Sequence, residues 1–293
     1  MGTRRTGEAE LTIALGENRY GKSRVRLMRV KRENGRHDLR EWMFEVLLRG
    51  DFESCFTEGD NSKILPTDTM KNTVYSLARR SPAASIEEFA KELVDFLLAR
   101  NPQVWSGEVT VSEKAWEHAL VKGDPHPTTF VQSSGERQTT KVERAQGGTF
   151  SVVSGLENLI IMKTAGSGFE GYLQDSLTTL PPTSDRLFAT AVRARWLYEP
   201  AEVGFNQLRT RIREILIAVF AGHASKSVQH TLYAMGERVL ERVAEVKEIE
   251  LSMPNIHCLL VDLSRFGQDN PNEVFVPTDE PHGYIEARIC RQR

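Results

Sequence analysis

Apolar and polar positions along the chain follow an order that occurs twice. Four stretches of the first half alternate with period two or are rich in β-formers, which is typical of strands: 23–31, 41–48, 108–112 and 128–132. Between the second and third of these, apolar residues recur at helical intervals over 67–80 and again from Ile86 onward. Thr67 or Asp68 is expected to cap the first helix, and Ser85 with Glu88 has the spacing of a capping box for the second.

The second half repeats this order. Strand patterns occupy 149–154, 159–163 and 191–198, helical patterns follow over 205–219 and 228–239, and strand patterns return at 247–253 and 257–263. Each half therefore consists of strands, two helices and further strands, which predicts two copies of one α+β unit with antiparallel sheets and helices on one face. We expect the domains to span 10–140 and 141–293.

Composition limits the classes of partner. With 38 Lys+Arg against 40 Asp+Glu the formal net charge is −2, so nucleic acid is not expected as a partner. A small anion stays possible, because its site needs only one or two local cations. No apolar run approaches the roughly 18 residues of a membrane span, so no membrane partner is expected.

The cysteines and the chain ends bear on location. Cys55, Cys258 and Cys290 form no CxxC pair, and their small number is typical of reduced thiols in a cytoplasm. The sequence has neither the apolar segment of a secretory signal nor a C-terminal peroxisomal tripeptide. We therefore expect a cytoplasmic protein.

Familiar catalytic motifs are weak or missing. Gly166, Gly168 and Gly171 spell G-x-G-x-x-G, but Pro181-Pro182 would end the long helix that a dinucleotide site needs, so the glycines indicate a turn. The 7 histidines have no metal-ligand spacing, and neither a P-loop nor G-x-S-x-G occurs. An enzyme with this sequence would work without a metal or a nucleotide cofactor.

Four stretches are rich in residues that suit a flat, polar anion: 65–75, 164–186, 227–229 and 254–257 with 266–275. In this order, and together with Tyr20-Gly21-Lys22, they resemble the urate oxidase family over about residues 16–288. The resemblance implies two tandem tunnelling-fold (T-fold) domains per chain. It also implies a homotetramer with active sites at subunit interfaces, where the first half of one chain faces the second half of a neighbour.

The same resemblance implies an oxidoreductase that converts urate, O₂ and water to 5-hydroxyisourate and hydrogen peroxide, with no cofactor and no metal. It assigns substrate binding to eight residues: Thr67, Asp68, Phe169, Leu180, Arg186, Val228, Gln229 and Asn255. The residue types suit these roles, because a guanidinium can donate to two adjacent acceptors and an amide can read a second edge of the ring. Backbone N–H groups at helix starts favour an anion.

The resemblance assigns proton transfer to Lys22, Thr67 and His257, which would remove a further proton from urate before electrons pass to O₂. Asn255 would hold O₂, or the water that replaces it, above the ring. Ile256 stands where the family often has lysine, and strand alternation predicts that it points away from its neighbours.

Alternatives remain for each residue and for the function. Arg186 could pair with Asp185, Phe169 could be ordinary core, Gln229 could be an exposed helix residue and Thr67 only a cap. The chain could also be a different T-fold enzyme of pterin or purine hydrolysis, which would need zinc, or a purine-binding protein without catalysis. A metal assay and a test for peroxide from urate would separate these functions.

Overall fold

Ten strands and five α-helices occupy the part of the chain that the computed structural model describes, residues 13–200 and 202–292. The side chains of Ser133, Ser134 and Asp279 lie outside that description, as do residues 10–12 and 293 of the predicted domains. The first half runs β1 (Tyr20–Glu33), β2 (Arg36–Gly50), α1 (Glu53–Thr57), α2 (Thr67–Arg80), α3 (Ile86–Arg100), β3 (Val104–Val121) and β4 (Asp124–Ala145). The second half runs β5 (Ser151–Lys163), β6 (Phe188–Tyr198), α4 (Phe205–Gly222), α5 (Val228–Arg242), β7 (Val246–Ser252), β8 (Asn255–Leu260), β9 (Phe275–Gly283) and β10 (Glu286–Cys290).

Strand β2 and helix α3 illustrate why these residues form a covered sheet. Every second side chain from Trp42 to Leu48 is at most 2% exposed, so one face of β2 is buried. Helix α3 covers that face, and its Phe89 ring stacks on Trp42 with 5.3 Å between centroids. The Ser85 hydroxyl accepts from the Glu88 N–H and the Glu88 carboxylate accepts from the Ser85 N–H, which confirms the predicted capping box.

All strand pairs are antiparallel, and the main sheet has the order β1-β2-β3-β4-β5-β6-β7-β10, with β8 paired to β6 and β9. Because β4 pairs with β5, the sheets of the two halves are continuous. Strands β1 and β10 lie at the two ends, and each pairs with one strand only within the described chain. Free edges of this kind are normally paired or covered.

A buried polar cluster fixes the two halves to each other. Glu87 of α3 is fully buried and Arg209 of α4 is 3% exposed, and the guanidinium donates to the carboxylate across the two halves. Arg209 also donates to Gln138 Oε1 at 2.5 Å, and the Ser154 hydroxyl donates to Glu87 at 2.5 Å. Removing one partner would leave a buried charge unpaired, so the cluster holds the halves in one relative position.

Several strand boundaries differ from the prediction. The stretches 108–112 and 128–132 are short parts of β3 and β4, which form a hairpin of 18 and 22 residues. The stretches 149–154 and 159–163 belong to one strand, β5, with an irregularity at Asn158, where φ is 60°. Strands β9 and β10 and helix α1 had no predicted counterpart.

Helix α2 begins at Thr67, whereas a cap at Thr67 would place the first helical residue at Asp68. Pro66 is the N-cap residue, and no side chain caps the helix, so the prediction that Thr67 or Asp68 caps it is wrong. Pro66 has a φ of −54°, which directs the chain into the helix and places Thr67 inside its first turn. None of the helices in the described residues is both long and apolar enough to span a membrane.

Candidate active site

Lys22, Thr67 and Asp68 lie together at the free edge of the first half. The Tyr20 hydroxyl accepts from the Leu65 N–H at 2.8 Å and donates to the Leu65 carbonyl at 3.1 Å. These two bonds tie the start of β1 to the segment that leads into α2. Lys22 is consequently close enough to Asp68 for its charge to act on that carboxyl group.

Close approach of two backbones sets the position of Lys22. A Cβ on Gly21 would lie 1.8 Å from the Val46 carbonyl oxygen, so only glycine fits where β1 meets β2. The register of the pair shifts directly after Lys22, and Arg24 has a φ of 58°. Lys22 is therefore the last regular residue before a bulge, a device that often re-aims a side chain.

The first turn of α2 has free backbone N–H donors, whereas the carboxylate of its Asp68 already accepts hydrogen bonds. Lys71 donates to Asp68 Oδ1, and Asn72 donates to Oδ2 at 2.9 Å. The hydrogen bond and charge of Lys71 hold the pKa of Asp68 below its usual value, with smaller contributions from Asn72 and Lys22. The first intrahelical donor is the Met70 N–H, so the N–H groups of the residues before it have no partner within the helix.

In the second half, Arg186, Asn255 and His257 line one cavity of about 310 Å³. That volume is at the lower end of the range of roughly 300–1,000 Å³ for small-ligand sites. Arg186 lies two residues before β6, whereas Asn255 and His257 lie on β8, which pairs with β6. The pairing of these two strands therefore brings together three of the predicted residues.

Arg186 carries an uncompensated charge. It has no ion pair within the described residues, and its Nε is buried without a hydrogen-bond partner. The neighbouring Asp185 instead accepts from the Ser167 N–H at 3.0 Å, so the alternative of an Arg186–Asp185 pair is wrong. Burial lowers the pKa of the Arg186 guanidinium below its usual value, which is the effect expected of a cation that lacks an anionic partner.

Asn255 and His257 contact each other on β8. Asn255 Nδ2 lies 3.4 Å from His257 Nδ1, so the amide can donate to this ring nitrogen when Nδ1 carries no proton. The β8–β9 register shifts between these two residues. Ile256 also belongs to the lining of the cavity, and the direction of its side chain stays a prediction.

Phe169 is held in a loop between β5 and β6. Its N–H donates to the Thr183 carbonyl at 2.7 Å, and the Arg186 guanidinium lies 5.5 Å from the centre of its ring. A Cβ on Gly168 would lie 2.9 Å from the Ser184 carbonyl, so this glycine permits the close crossing of the loop. No helix follows the glycine motif before β6, which confirms that it forms a turn.

The same loop pairs with the connection between α4 and α5. The Gly168 N–H donates to the Ser225 carbonyl at 2.9 Å, and the Ser225 N–H donates to the Gly166 carbonyl at 3.0 Å. Helix α5 begins three residues later with Val228, which is buried, and Gln229, which is exposed. The Phe169 loop and the start of α5 are thereby fixed to each other.

Two residues of this loop differ from expectation. Leu180 is 52% exposed and does not line the cavity within this chain. Tyr172 was missed: its ring stacks on Phe169 with 4.8 Å between centroids, and its hydroxyl donates to the Leu180 carbonyl. The spacing of two aromatic residues three apart in a glycine-rich loop was the available signal.

The two groups of predicted residues stand apart within one chain. Strand β1, which carries Lys22, and strand β6, beside Arg186, are five strand spacings apart in the sheet. At ~4.8 Å per spacing this separation is about 24 Å along the sheet. A larger groove of about 920 Å³ between α4 and α5 contains none of the predicted residues. The cavity at Arg186 therefore stays the candidate site of the second half.

The chain is similar to known proteins over most of its length. A model of the uricase family matches residues 18–143 and 152–286, one segment in each half. The chain is 41% identical over 280 residues to the uricase of Arthrobacter globiformis, covering 96% of this chain and 91% of the relative. It is 38% identical over 277 residues to the uricase of Dictyostelium discoideum, with coverages of 94% and 96%. The crystal structure of the Arthrobacter globiformis protein matches with a TM-score of 0.91 at 40% identity over 96% of both chains.

Proposed function

The chain belongs to the uricase family, and from this premise we propose which of its side chains bind and oxidise urate and how copies of the chain build the site. It has the tandem T-fold architecture of that family. The enzyme converts urate, O₂ and water to 5-hydroxyisourate and hydrogen peroxide without a cofactor. The observation that carries the proposed site is the half-buried guanidinium of Arg186, which has a buried Nε without a hydrogen-bond partner and lies in the same cavity as Asn255 and His257.

We assign binding of urate to groups from both halves. Urate is a planar monoanion at neutral pH, so Arg186 supplies the opposite charge and two parallel donors. Gln229 reads a second edge of the ring, and the N–H groups of Asp68 and Val228 donate from the starts of α2 and α5. Phe169 stacks on the ring, and Leu180 closes the pocket when the loop meets the ligand.

We assign proton transfer to Lys22, Thr67 and His257. Lys22 accepts a proton from the urate monoanion through the Thr67 hydroxyl, and the dianion then gives electrons to O₂ held beside Asn255. The peroxide that forms on the purine takes the proton back from Lys22 along the same path and leaves as hydrogen peroxide, and water adds to the oxidised ring to give 5-hydroxyisourate. Both oxygen atoms of O₂ leave in hydrogen peroxide, and the oxygen of the new hydroxyl group comes from water.

The distance between the two groups supports a site shared between chains. We propose that the first half of one chain supplies Lys22 and Thr67, and that the second half of a neighbour supplies Arg186 and His257, in a homotetramer. The free edges at β1 and β10 support this assembly, because pairing between copies would cover them. The domain division near 140/141 and a cytoplasmic location stay predictions, the latter supported by three free cysteines.

The test of the proposed function is turnover by metal-free protein. After chelation and dialysis the protein is expected to consume urate and O₂ in equal amounts and to release hydrogen peroxide. Urate absorbance, an oxygen electrode and a peroxide assay measure the three quantities on one sample. Loss of activity that an added metal ion restores would contradict the proposal that the reaction needs no metal.

Arg186→Ala is expected to raise KM for urate by roughly 10–150-fold with a much smaller change in kcat. The reason is that charge-assisted hydrogen bonds of about 1.5–3 kcal/mol are lost from both the ground state and the transition state. Steady-state kinetics over a wide range of urate concentration measure both constants. Arg195→Ala on β6, which removes an arginine outside the cavity lining, is the matched control and should leave KM unchanged.

A further inference from the structure

The loop between β8 and β9 is closed by a single side chain, Asn270. Its Nδ2 donates to the carbonyls of Val261 and Val274 at 2.9 and 2.8 Å. Its Oδ1 accepts from the N–H groups of Glu273 and Val274, both at 3.0 Å. All four hydrogen-bonding positions that this amide has are therefore occupied by backbone, and the side chain continues the β8–β9 ladder beyond its last regular pair.

The closed loop presents a second asparagine to the urate cavity. Asn272 has a φ of 62°, a left-handed conformation that asparagine adopts more readily than most residues. Its N–H donates to the Asn270 carbonyl at 2.8 Å, so the turn is anchored on the residue that closes the loop. Asn272 lines the same cavity as Arg186, Asn255 and His257.

We propose that Asn272 is a further substrate-binding residue for urate and that Asn270 is the positioning residue that holds it at the cavity. This inference rests on the proposed function of the cavity. Urate alternates carbonyl and N–H groups around its rings, and a guanidinium can satisfy only acceptors. An amide can both donate and accept, so Asn272 suits an N–H or carbonyl edge that Arg186 does not engage.

The decisive variant is Asn272→Gly. Glycine adopts a φ of 62° without strain, so this change removes the amide and keeps the turn. We expect KM for urate, and the dissociation constant of urate measured anaerobically, to rise about 3–10-fold, since one or two neutral hydrogen bonds are lost. The value of kcat and the melting temperature should change little. Asn34→Gly is the matched control, because Asn34 also has a positive φ, 48°, in the β1–β2 turn far from the cavity.

Two further variants separate contact from positioning. Asn272→Asp puts a carboxylate beside an anionic substrate and should weaken urate binding more than tenfold. Asn270→Ala should weaken binding to a similar extent as Asn272→Gly, and the double variant should be little worse than either single variant, because both changes interrupt the same contact.

An unchanged anaerobic dissociation constant in Asn272→Gly, or a fall in kcat without a change in binding, would overturn the proposal. Equal losses in the Asn34→Gly control would overturn it as well, because they would indicate a general effect of the turn. If Asn270→Ala fails to fold, Asn272→Gly and Asn272→Asp still decide the role of Asn272. Wild-type protein without urate turnover would contradict the proposed function itself, and this result is separate from any of the variant results.

Discussion

Lys22→Met is expected to lower kcat by about 10²–10⁴-fold while urate binds almost as tightly as to the wild type. Methionine keeps most of the bulk of lysine at the end of the regular part of β1 but cannot accept a proton. A positioned acid or base contributes about that factor to a rate, and the contribution appears only while protons move. Rapid-mixing or steady-state kinetics measure kcat, and an anaerobic urate titration measures binding, so the effect on turnover is separated from the effect on affinity.

Lys31→Met is the matched control for this change, because Lys31 lies on the same strand nine residues beyond Lys22. It should leave kcat unchanged. Thr67→Ala should also lower kcat, and the Lys22→Met/Thr67→Ala double variant should be little worse than the worse single variant, since both residues serve one proton path. Fully multiplicative losses would contradict a shared path, and an unchanged kcat in Lys22→Met would leave His257 as the candidate base.

The fold could be predicted where one face of an element is buried. Strand β2 alternates from Trp42 to Leu48, and α3 has both a capping box and an apolar stripe. Both elements were therefore found, although β2 extends beyond the predicted 41–48 at both ends. The outer part of the β3–β4 hairpin is mostly exposed, so it has no alternation that could reveal it. The same reason explains β9 and β10, whose side chains are mainly exposed within one chain.

The candidate site was also predictable only in part. Family resemblance placed Arg186, Asn255 and His257 together, and the β6–β8 pairing brings them to one cavity. Resemblance did not indicate that Pro66 is the N-cap of α2, because local turn geometry decides the cap. It also missed Asn270, whose contacts are with backbone and leave no signal in the sequence, and Tyr172, whose one signal was its spacing from Phe169.

Mixing two variants that are each nearly inactive at low urate concentration is expected to restore activity if the site is shared between chains. Thr67→Ala removes a group from the first half, and Arg186→Ala removes one from the second half. In an equal mixture with free subunit exchange, a site is intact only when Thr67 comes from the Arg186 variant and Arg186 comes from the Thr67 variant. Each condition holds for about half of the chains, so about a quarter of the wild-type sites should be intact.

The gain is measured at a urate concentration below KM, where each variant alone is nearly inactive. The mixture is unfolded and refolded together, and differently tagged copies in native mass spectrometry establish that mixed oligomers have formed. The Thr67→Ala/Arg186→Ala double variant mixed with wild type gives the matched control, because it has the same number of defects and should give the same quarter of intact interface sites. If the single variants form mixed oligomers without recovery, both residues serve one site within one chain, and about 24 Å of sheet between β1 and β6 would have to be bridged within one subunit.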